Sequence, residues 1–154
     1  MKKVAYIASE CVPFIKTGGL ADVVGTLPKI FDKNEYDVRV IMPNYLCIPN
    51  KYREKMQYIT HFYMDIGYKN DYVGVMYLEY EGVKVYFIDN EYYFNGFTPY
   101  GGISRSSVIS QRQRFRSFHR SVSSRIYFTV MTGRQDLCLY ISRLCLQEIC
   151  SIQA

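Results

Sequence analysis

The order of apolar and polar residues predicts an α/β fold, in which parallel strands and a helix precede an antiparallel hairpin excursion. Residues 4–8 are a short apolar run bounded by polar residues, as is typical of a buried parallel strand. Apolar residues then recur at helical spacing over residues 21–31. A second apolar strand pattern, residues 37–42, ends at Pro43.

The segment that follows reads as an antiparallel addition to this unit. Residues 51–56 predict one or two turns of helix, and three β-rich runs follow at residues 58–64, 72–80 and 83–88. Glu81 and Gly82 separate the last two runs, and glycine tolerates the positive φ of a tight hairpin turn.

The turn between the first strand and the first helix carries the pattern KTGGL, with Lys16, Gly18 and Gly19. Ligands of α/β proteins bind at such strand-to-helix turns. Glycines permit unusual backbone angles and let main-chain N–H groups approach an anion, while a helix start at Leu20 and the lysine add positive charge. The pattern therefore suits a phosphate or diphosphate. It has neither GxGxxG nor GxxxxGK[ST] spacing, and from these five residues alone an ordinary tight turn is the favoured interpretation.

A longer string narrows the interpretation. Residues 9–13 (SECVP) followed by residues 16–23 (KTGGLADV) closely resemble the N-terminus of bacterial glycogen synthases and plant starch synthases. Residues 37–45 (DVRVIMPNY) and residues 87–94 (FIDNEYYF) resemble later segments of the same family. Together these segments cover about the first 100 residues of the chain.

The resemblance implies the Rossmann-like N-terminal domain of a GT-B glycosyltransferase. Such an enzyme transfers glucose from ADP-glucose to the non-reducing end of an α-1,4-glucan with retention of configuration, and it needs no metal or other cofactor. It also implies that Lys16 contacts the sugar nucleotide and that Gly18 and Gly19 shape its loop. No residue of this chain is assigned a catalytic role.

Three further residues of the motif are candidates for contacts in the cleft. Glu10 lies just beyond the first strand, where a carboxylate can meet substrate, although a solvated loop residue is the alternative. Thr17 lies within the motif itself. Asp22 could reach the ligand, but acids are also common in a first helical turn because they complement the helix dipole.

Other chemically interesting side chains have simpler interpretations. Cys11 is expected to be a small buried hydrophobic residue, and His61 is expected to be structural because no ligand spacing accompanies it. The five cysteines are odd in number and contain no CxxC pair, so neither a disulfide framework nor a zinc site is predicted. Loop aromatics could stack on sugar rings, but packing is the favoured role for most of them; they are Tyr92, Tyr93, Phe94, Phe97 and Tyr100.

Composition limits the class of protein. No apolar run approaches the length of a membrane span, and no signal-peptide pattern follows Met1, so the sequence predicts a cytoplasmic protein without a membrane partner. No carboxylate pair or Ser/His/Asp set points to a hydrolase. The oligomeric state is left open.

The chain changes character after residue 103. Residues 1–103 carry nine lysines and two arginines against twelve acids, whereas residues 104–154 carry eight arginines, no lysine and two acids. The sequence therefore predicts a partial catalytic domain over residues 1–103 and an Arg/Ser-rich, poorly ordered tail over residues 104–154.

Two hypotheses account for the tail. In one, Arg112, Arg116 and Arg120 line a helical face as part of a nucleic-acid patch. In the other, which we favour, the tail is translated out of frame. Permitted codons for residues 129–136, read from the third base, give Cys-His-Asp-Trp-Gln-Thr-Gly, a string that the family carries after another His.

If so, this chain supplies part of one wall of a cleft, and we expect no glucan synthesis by the chain alone. The alternatives are a non-catalytic sugar-nucleotide or glucan-binding module and a basic-tailed nucleic-acid binder.

Overall fold

The described part of the chain contains one mixed β-sheet and two helices. The computed structural model describes residues 1–66, 69–90, 94 and 126–131. In chain order the elements are β1 (Lys2–Ala8), α1 (Gly19–Ile30), β2 (Tyr36–Pro43), α2 (Asn50–Arg53), β3 (Gln57–Ile66), β4 (Lys69–Tyr80), β5 (Val83–Asp89) and β6 (Ile126–Met131).

The sheet has the order β3-β4-β5-β2-β1-β6. The strands β5, β2, β1 and β6 are parallel. β4 pairs antiparallel with β5, and β3 pairs antiparallel with β4 at the sheet edge. The β4–β5 turn has positive φ at both Glu81 (51°) and Gly82 (74°), which is the backbone of a tight two-residue hairpin. The predicted α/β class with an antiparallel excursion is therefore confirmed.

Most element bounds lie close to those predicted, and the differences have physical causes. Helix α1 begins at Gly19, one residue before the predicted start at Leu20, because a helix can begin before its apolar period does. β3 and β4 run past the predicted ends at residues 64 and 72, through a polar stretch that breaks the apolar pattern. Backbone pairing does not require apolar side chains.

The predicted tail is described only in part. Within residues 104–154 the structure describes residues 126–131, which form β6 and pair in parallel with β1 from Lys3↔Ile126 to Ala8↔Met131. The rest of the predicted tail, residues 104–125 and 132–154 with the arginines of the proposed nucleic-acid patch, lies outside the described residues.

Helix α1 covers one face of the sheet. Its Val24, Gly25 and Pro28 lie over Val40 and Val85, and strand alternation places every second residue of β2 and β5 on this face. On this face Met42 and Phe87 are completely buried. The α1 face therefore carries the apolar layer on which the first strand-to-helix turn rests.

The opposite face carries a buried charge cluster. The Asp37 carboxylate accepts hydrogen bonds from Arg39 Nη2 at 2.7 Å and from Lys84 Nζ at 3.0 Å. Asp37 and Arg39 are each 8% exposed, so these charges are held largely away from water. In the part of the chain that the structure describes, no helix has the length and apolarity needed to cross a membrane.

Candidate functional site

The sequence-predicted motif lies at the carboxyl edge of the parallel strands, where open α/β sheets bind ligands. Leaving β1 at Ala8, the chain makes a compact turn in which the N–H groups of Phe14 and Ile15 both donate to the Cys11 carbonyl at 3.0 Å. The Val12 N–H donates to the Ala21 carbonyl at 3.1 Å, which ties this turn to α1. The segment from Lys16 to Gly19 is thereby held between the end of β1 and the start of α1.

Glu10 organises this segment from below. Its Oε2 accepts hydrogen bonds from the Thr17 N–H and the Thr17 hydroxyl, both at 2.6 Å, and from the Gly18 N–H at 3.3 Å. Glu10 is only 3% exposed, so its carboxylate is a buried group that depends on these donors. The structure therefore places Glu10 beneath the loop rather than on an open cleft surface.

Gly18 and Gly19 do not use the backbone freedom for which glycine is usually needed. Gly18, the N-cap of α1, is extended (φ −152°), and among the described glycines only Gly82 has a positive φ. The unusual backbone angles that glycine permits are therefore not used at Gly18 and Gly19. The chain itself also leaves room for a side chain here, because a Cβ added at Gly19 would meet no atom within 4 Å and one at Gly18 would lie 3.6 Å from Glu10 Oε1.

Lys16 is paired with Asp22 at the surface. Its ammonium lies 2.8 Å from Oδ1 and 2.7 Å from Oδ2, and the two side chains are 56% and 53% exposed. An ion pair this exposed contributes little to stability, about 0–1 kcal/mol. Lys16 can therefore leave Asp22 for an anionic ligand at small cost.

The charge balance of the loop differs from the simple positive site that the sequence pattern indicates. The loop holds one lysine, which is paired with Asp22, and a second carboxylate, Glu10, to which two of the backbone donors expected to meet an anion already donate. The N-cap residue of α1 provides no side-chain cap, so the helix terminus still presents its dipole to the surface. A ligand could therefore meet the ammonium of Lys16, the N-terminus of α1 and the unoccupied space beside Gly19.

Two further polar residues lie at the same edge and were missed by sequence reasoning. Asn44 follows β2, and its Nδ2 donates to Asp89 Oδ1, at the end of β5, at 3.1 Å. Both residues immediately follow or end a buried parallel strand, which is the signal that could have found them. Polar groups therefore occur at the carboxyl ends of β1, β2 and β5.

The remaining candidates have mixed outcomes. Cys11 is 3% exposed, and burial raises the pKa of its thiol to about 12 despite the nearby Lys29, so its expected role as a small buried residue is confirmed. Phe94 is 2% exposed and packs edge-to-face on Tyr45, consistent with packing. The other loop aromatics lie outside the described residues.

His61 lies on the exposed surface of β3 among tyrosine rings. No group of three His, Cys, Asp or Glu side chains suited to a metal ion occurs within the described ranges.

A cavity of about 230 Å³ lies elsewhere, at the amino ends of the strands. Lys33, Asp37 and Gly82 are among its lining residues. Because it lies at the edge opposite Lys16, it does not belong to the candidate site.

A mainly parallel sheet, in which a helix follows the first strand and crosses over to the second, is typical of a Rossmann-like fold. The sequence model of the family described as the starch synthase catalytic domain matches residues 3–128. The chain belongs to this family.

The chain is similar to several curated glycogen synthases. It is 60% identical over 103 residues to glycogen synthase of Lachnoclostridium phytofermentans and 64% identical over 103 residues to that of Lachnospira eligens, covering 67% of this chain and 22% of each relative. Glycogen synthase of Caldicellulosiruptor saccharolyticus is 47% identical over 124 residues, which is 80% of this chain and 25% of the relative. The match thus spans about a quarter of the length of these relatives.

A solved structure also matches. The catalytic domain of starch synthase IV from Arabidopsis thaliana, bound to ADP and acarbose, superposes with a TM-score of 0.57 at 25% identity. The match covers 73% of this chain and 26% of that chain. The Rossmann-like fragment of a GT-B enzyme is therefore the fold of the described residues.

Proposed function

We propose that this chain is the sugar-nucleotide-facing N-terminal part of a glycogen or starch synthase that transfers glucose from ADP-glucose to an α-1,4-glucan. The observation that carries the proposal is Lys16, which is exposed just before α1 on the carboxyl edge of the sheet and is paired, among the described residues, with the exposed carboxylate of Asp22. Family membership gives the substrate class, and the structure neighbour was solved with ADP and acarbose.

In this proposal Lys16 exchanges Asp22 for the diphosphate of the donor. When the glycosidic bond to the nucleotide breaks, negative charge builds up on the leaving diphosphate, and a nearby ammonium stabilises that charge. Gly19 leaves open space beside the lysine, and Glu10 fixes the loop through Thr17 and Gly18. These residues bind and orient the donor, and no described residue is assigned to attack or proton transfer.

The experiment is a titration of the purified chain with ADP-glucose. Lys16→Ala should weaken binding about tenfold or more, because hydrogen bonds to charged groups are among the stronger ones. Lys33→Ala is the matched control, since Lys33 is exposed at the opposite edge and its loss should leave affinity unchanged. Equal affinity in wild type and Lys16→Ala would contradict the assignment of Lys16.

We further infer that the chain alone does not transfer glucose. The loop supplies a single lysine, already paired with a carboxylate, and electrostatic stabilisation of a transition state needs groups from both walls of a cleft. Incubation with ADP-glucose and glycogen should therefore give no chain extension. Measurable transfer would refute this inference, and binding without transfer would fit a sugar-nucleotide module.

We also propose that residues 104–154 are translated out of frame. The two relatives at 60% and 64% identity each align over 103 residues, whereas the relative at 47% identity aligns over 124. Moreover, a Phe128 codon ends in T or C and Thr129 begins with AC, so the shifted triplet reads Tyr or His immediately before the Cys-His-Asp-Trp string.

Resequencing the gene and reading all three frames from the Gly102 codon tests the frame proposal. An open shifted frame that encodes this string and a second domain supports it. Closed alternative frames would overturn it and leave the Arg-rich segment needing its own function, which salt-dependent binding of DNA or RNA would reveal.

A further inference from the structure

The β3–β4 hairpin carries a cluster of exposed aromatic rings, here named the aromatic patch and consisting of Tyr58, His61, Tyr63 and Tyr72. The three tyrosines are 54%, 63% and 40% exposed. Exposed aromatic side chains gathered in one place are unusual on a soluble surface, since large rings are normally packed. No residue of the patch belongs to the Lys16 site.

The rings are held in a defined arrangement. His61 lies in the middle, at 5.5 Å and 27° to the Tyr72 ring and at 6.2 Å and 33° to the Tyr58 ring. Its Nδ1 is also hydrogen-bonded to the Tyr58 hydroxyl. Tyr63 stands nearly perpendicular, at 85° to His61 and 74° to Tyr72. The rings of Tyr58, His61 and Tyr72 are therefore roughly parallel, and the Tyr63 ring lies nearly perpendicular to those of His61 and Tyr72.

Gly74 makes room for this arrangement. A Cβ at Gly74 would lie 2.9 Å from the Tyr72 hydroxyl oxygen and 3.2 Å from its ring. Because Gly74 pairs with His61 across the strands, the Tyr72 ring can lie over the glycine and against the imidazole. The patch is thus built into the hairpin.

The patch lies on the same face and the same edge of the sheet as the Lys16 loop. Gly74 pairs with Asp89 at the carboxyl end of β5, and Asn90 Nδ2 donates to the Tyr72 carbonyl at 2.8 Å. Through Met76↔Phe87, strand alternation puts the patch on the α1 side. β4 lies three strands from β1, so the patch is about 14 Å or more from the loop.

We propose, on the basis of the function proposed above, that the aromatic patch binds the α-glucan acceptor outside the reacting site. The negative π faces attract the C–H face of a glucose ring, and the tyrosine hydroxyls and imidazole can bond its hydroxyls. The tyrosines expose about 300 Å², taking about 200 Å² per ring. That is well below the roughly 800 Å² per partner of a stable protein interface, which favours a glucan chain over a second copy.

The test is the affinity of the full chain for maltoheptaose, measured by titration. Tyr63→Ala and Tyr72→Ala should each weaken binding about two- to tenfold, while Tyr63→Phe should retain it. Ile30→Ala is the matched control, since Ile30 is 72% exposed at the far end of α1 and its loss should change nothing. Cellohexaose, a β-linked glucan, is the control ligand, and wild type should bind it more weakly than maltoheptaose.

ADP-glucose affinity separates this inference from the proposed function. The patch variants should bind ADP-glucose as wild type does, and Lys16→Ala should bind maltoheptaose as wild type does. If wild type binds maltoheptaose but not ADP-glucose, the function proposed for Lys16 fails while the aromatic patch stands as a glucan site. Three results overturn the inference: no maltoheptaose binding by wild type, unchanged affinity in both tyrosine variants, or self-association that these variants abolish.

Discussion

At the scale of single residues, Glu10 determines what the Lys16 loop can offer a ligand. A buried carboxylate that accepts three hydrogen bonds fixes the loop between Thr17 and Gly18. The same carboxylate places a negative charge near the proposed diphosphate site. It therefore orders the loop but weakens the attraction between the loop and an anionic ligand. Geometry and charge can be separated by substitution, because glutamine keeps the acceptor oxygen and removes the charge.

We expect Glu10→Ala to lower the free energy of unfolding by about 1–3 kcal/mol and to weaken ADP-glucose binding, because three donors lose their acceptor. Glu10→Gln should recover most of the stability and bind ADP-glucose at least as tightly as wild type, since repulsion of the diphosphate is removed. Urea denaturation and ligand titration measure the two effects. Weaker ADP-glucose binding by Glu10→Gln, with stability retained, would show that the carboxylate itself contacts the donor.

At the scale of elements, α1 is pressed against the turn that precedes it. A Cβ added at Gly25 would lie 2.7 Å from the Val12 carbonyl oxygen and 3.1 Å from the Val12 Cβ. The contact between Gly25 and Val12, together with the Val12 to Ala21 hydrogen bond, sets where the helix terminus meets the loop.

Gly25→Ala should therefore lower the free energy of unfolding by about 1–2 kcal/mol, because overpacking outweighs the gain in helix propensity. Gly19→Ala is the control in the same helix, since a Cβ there meets no atom within 4 Å and should not destabilise the fold. Thermal or urea unfolding of the two variants provides the comparison. A Gly25→Ala variant as stable as wild type would contradict this account of the helix contact.

The elements also mark how far sequence reasoning reaches. β1, α1 and β2 were predicted because their apolar residues follow the period of the structure they form, and the Glu81–Gly82 turn because glycine favours its backbone. For the loop, the sequence predicted its position between β1 and α1 but not its internal hydrogen bonds. Its internal hydrogen bonds join Glu10 to residues seven and eight positions away, so they depend on the intervening turn, which carries no periodic signal.

The aromatic patch was missed for a related reason. Its rings come from two strands, and only the β3–β4 register brings His61 and Tyr63 beside Tyr72. β6 was missed because residues 126–131 lie in a segment whose composition predicted poor order.

At the scale of the whole molecule, stability depends on the charge cluster opposite α1. Burial alone would raise the pKa of Asp37, but the hydrogen bonds and charges of Arg39 and Lys84 outweigh it and lower that pKa. A carboxyl whose folded pKa lies below its unfolded value, about 3.9, stabilises the fold above that pH. This contribution is lost as the pH falls through the folded pKa.

Denaturation over a pH series should therefore show a loss of stability below about pH 4 that is steeper in wild type than in Asp37→Asn. At pH 7 the variant should be less stable by about 3 kcal/mol, because Arg39 is left buried with its charge uncompensated. Parallel acid profiles of the two proteins would contradict the assigned role of Asp37.

The account as a whole depends on the Lys16 loop being the donor site, and amide NMR of the ¹⁵N-labelled chain titrated with ADP-glucose tests this most directly. We predict saturable shifts at the amides of Lys16, Thr17, Gly18 and Gly19, with β3 and the cavity around Lys33 unaffected. Saturable shifts confined to other parts of the chain, or no shifts at any concentration, would contradict it.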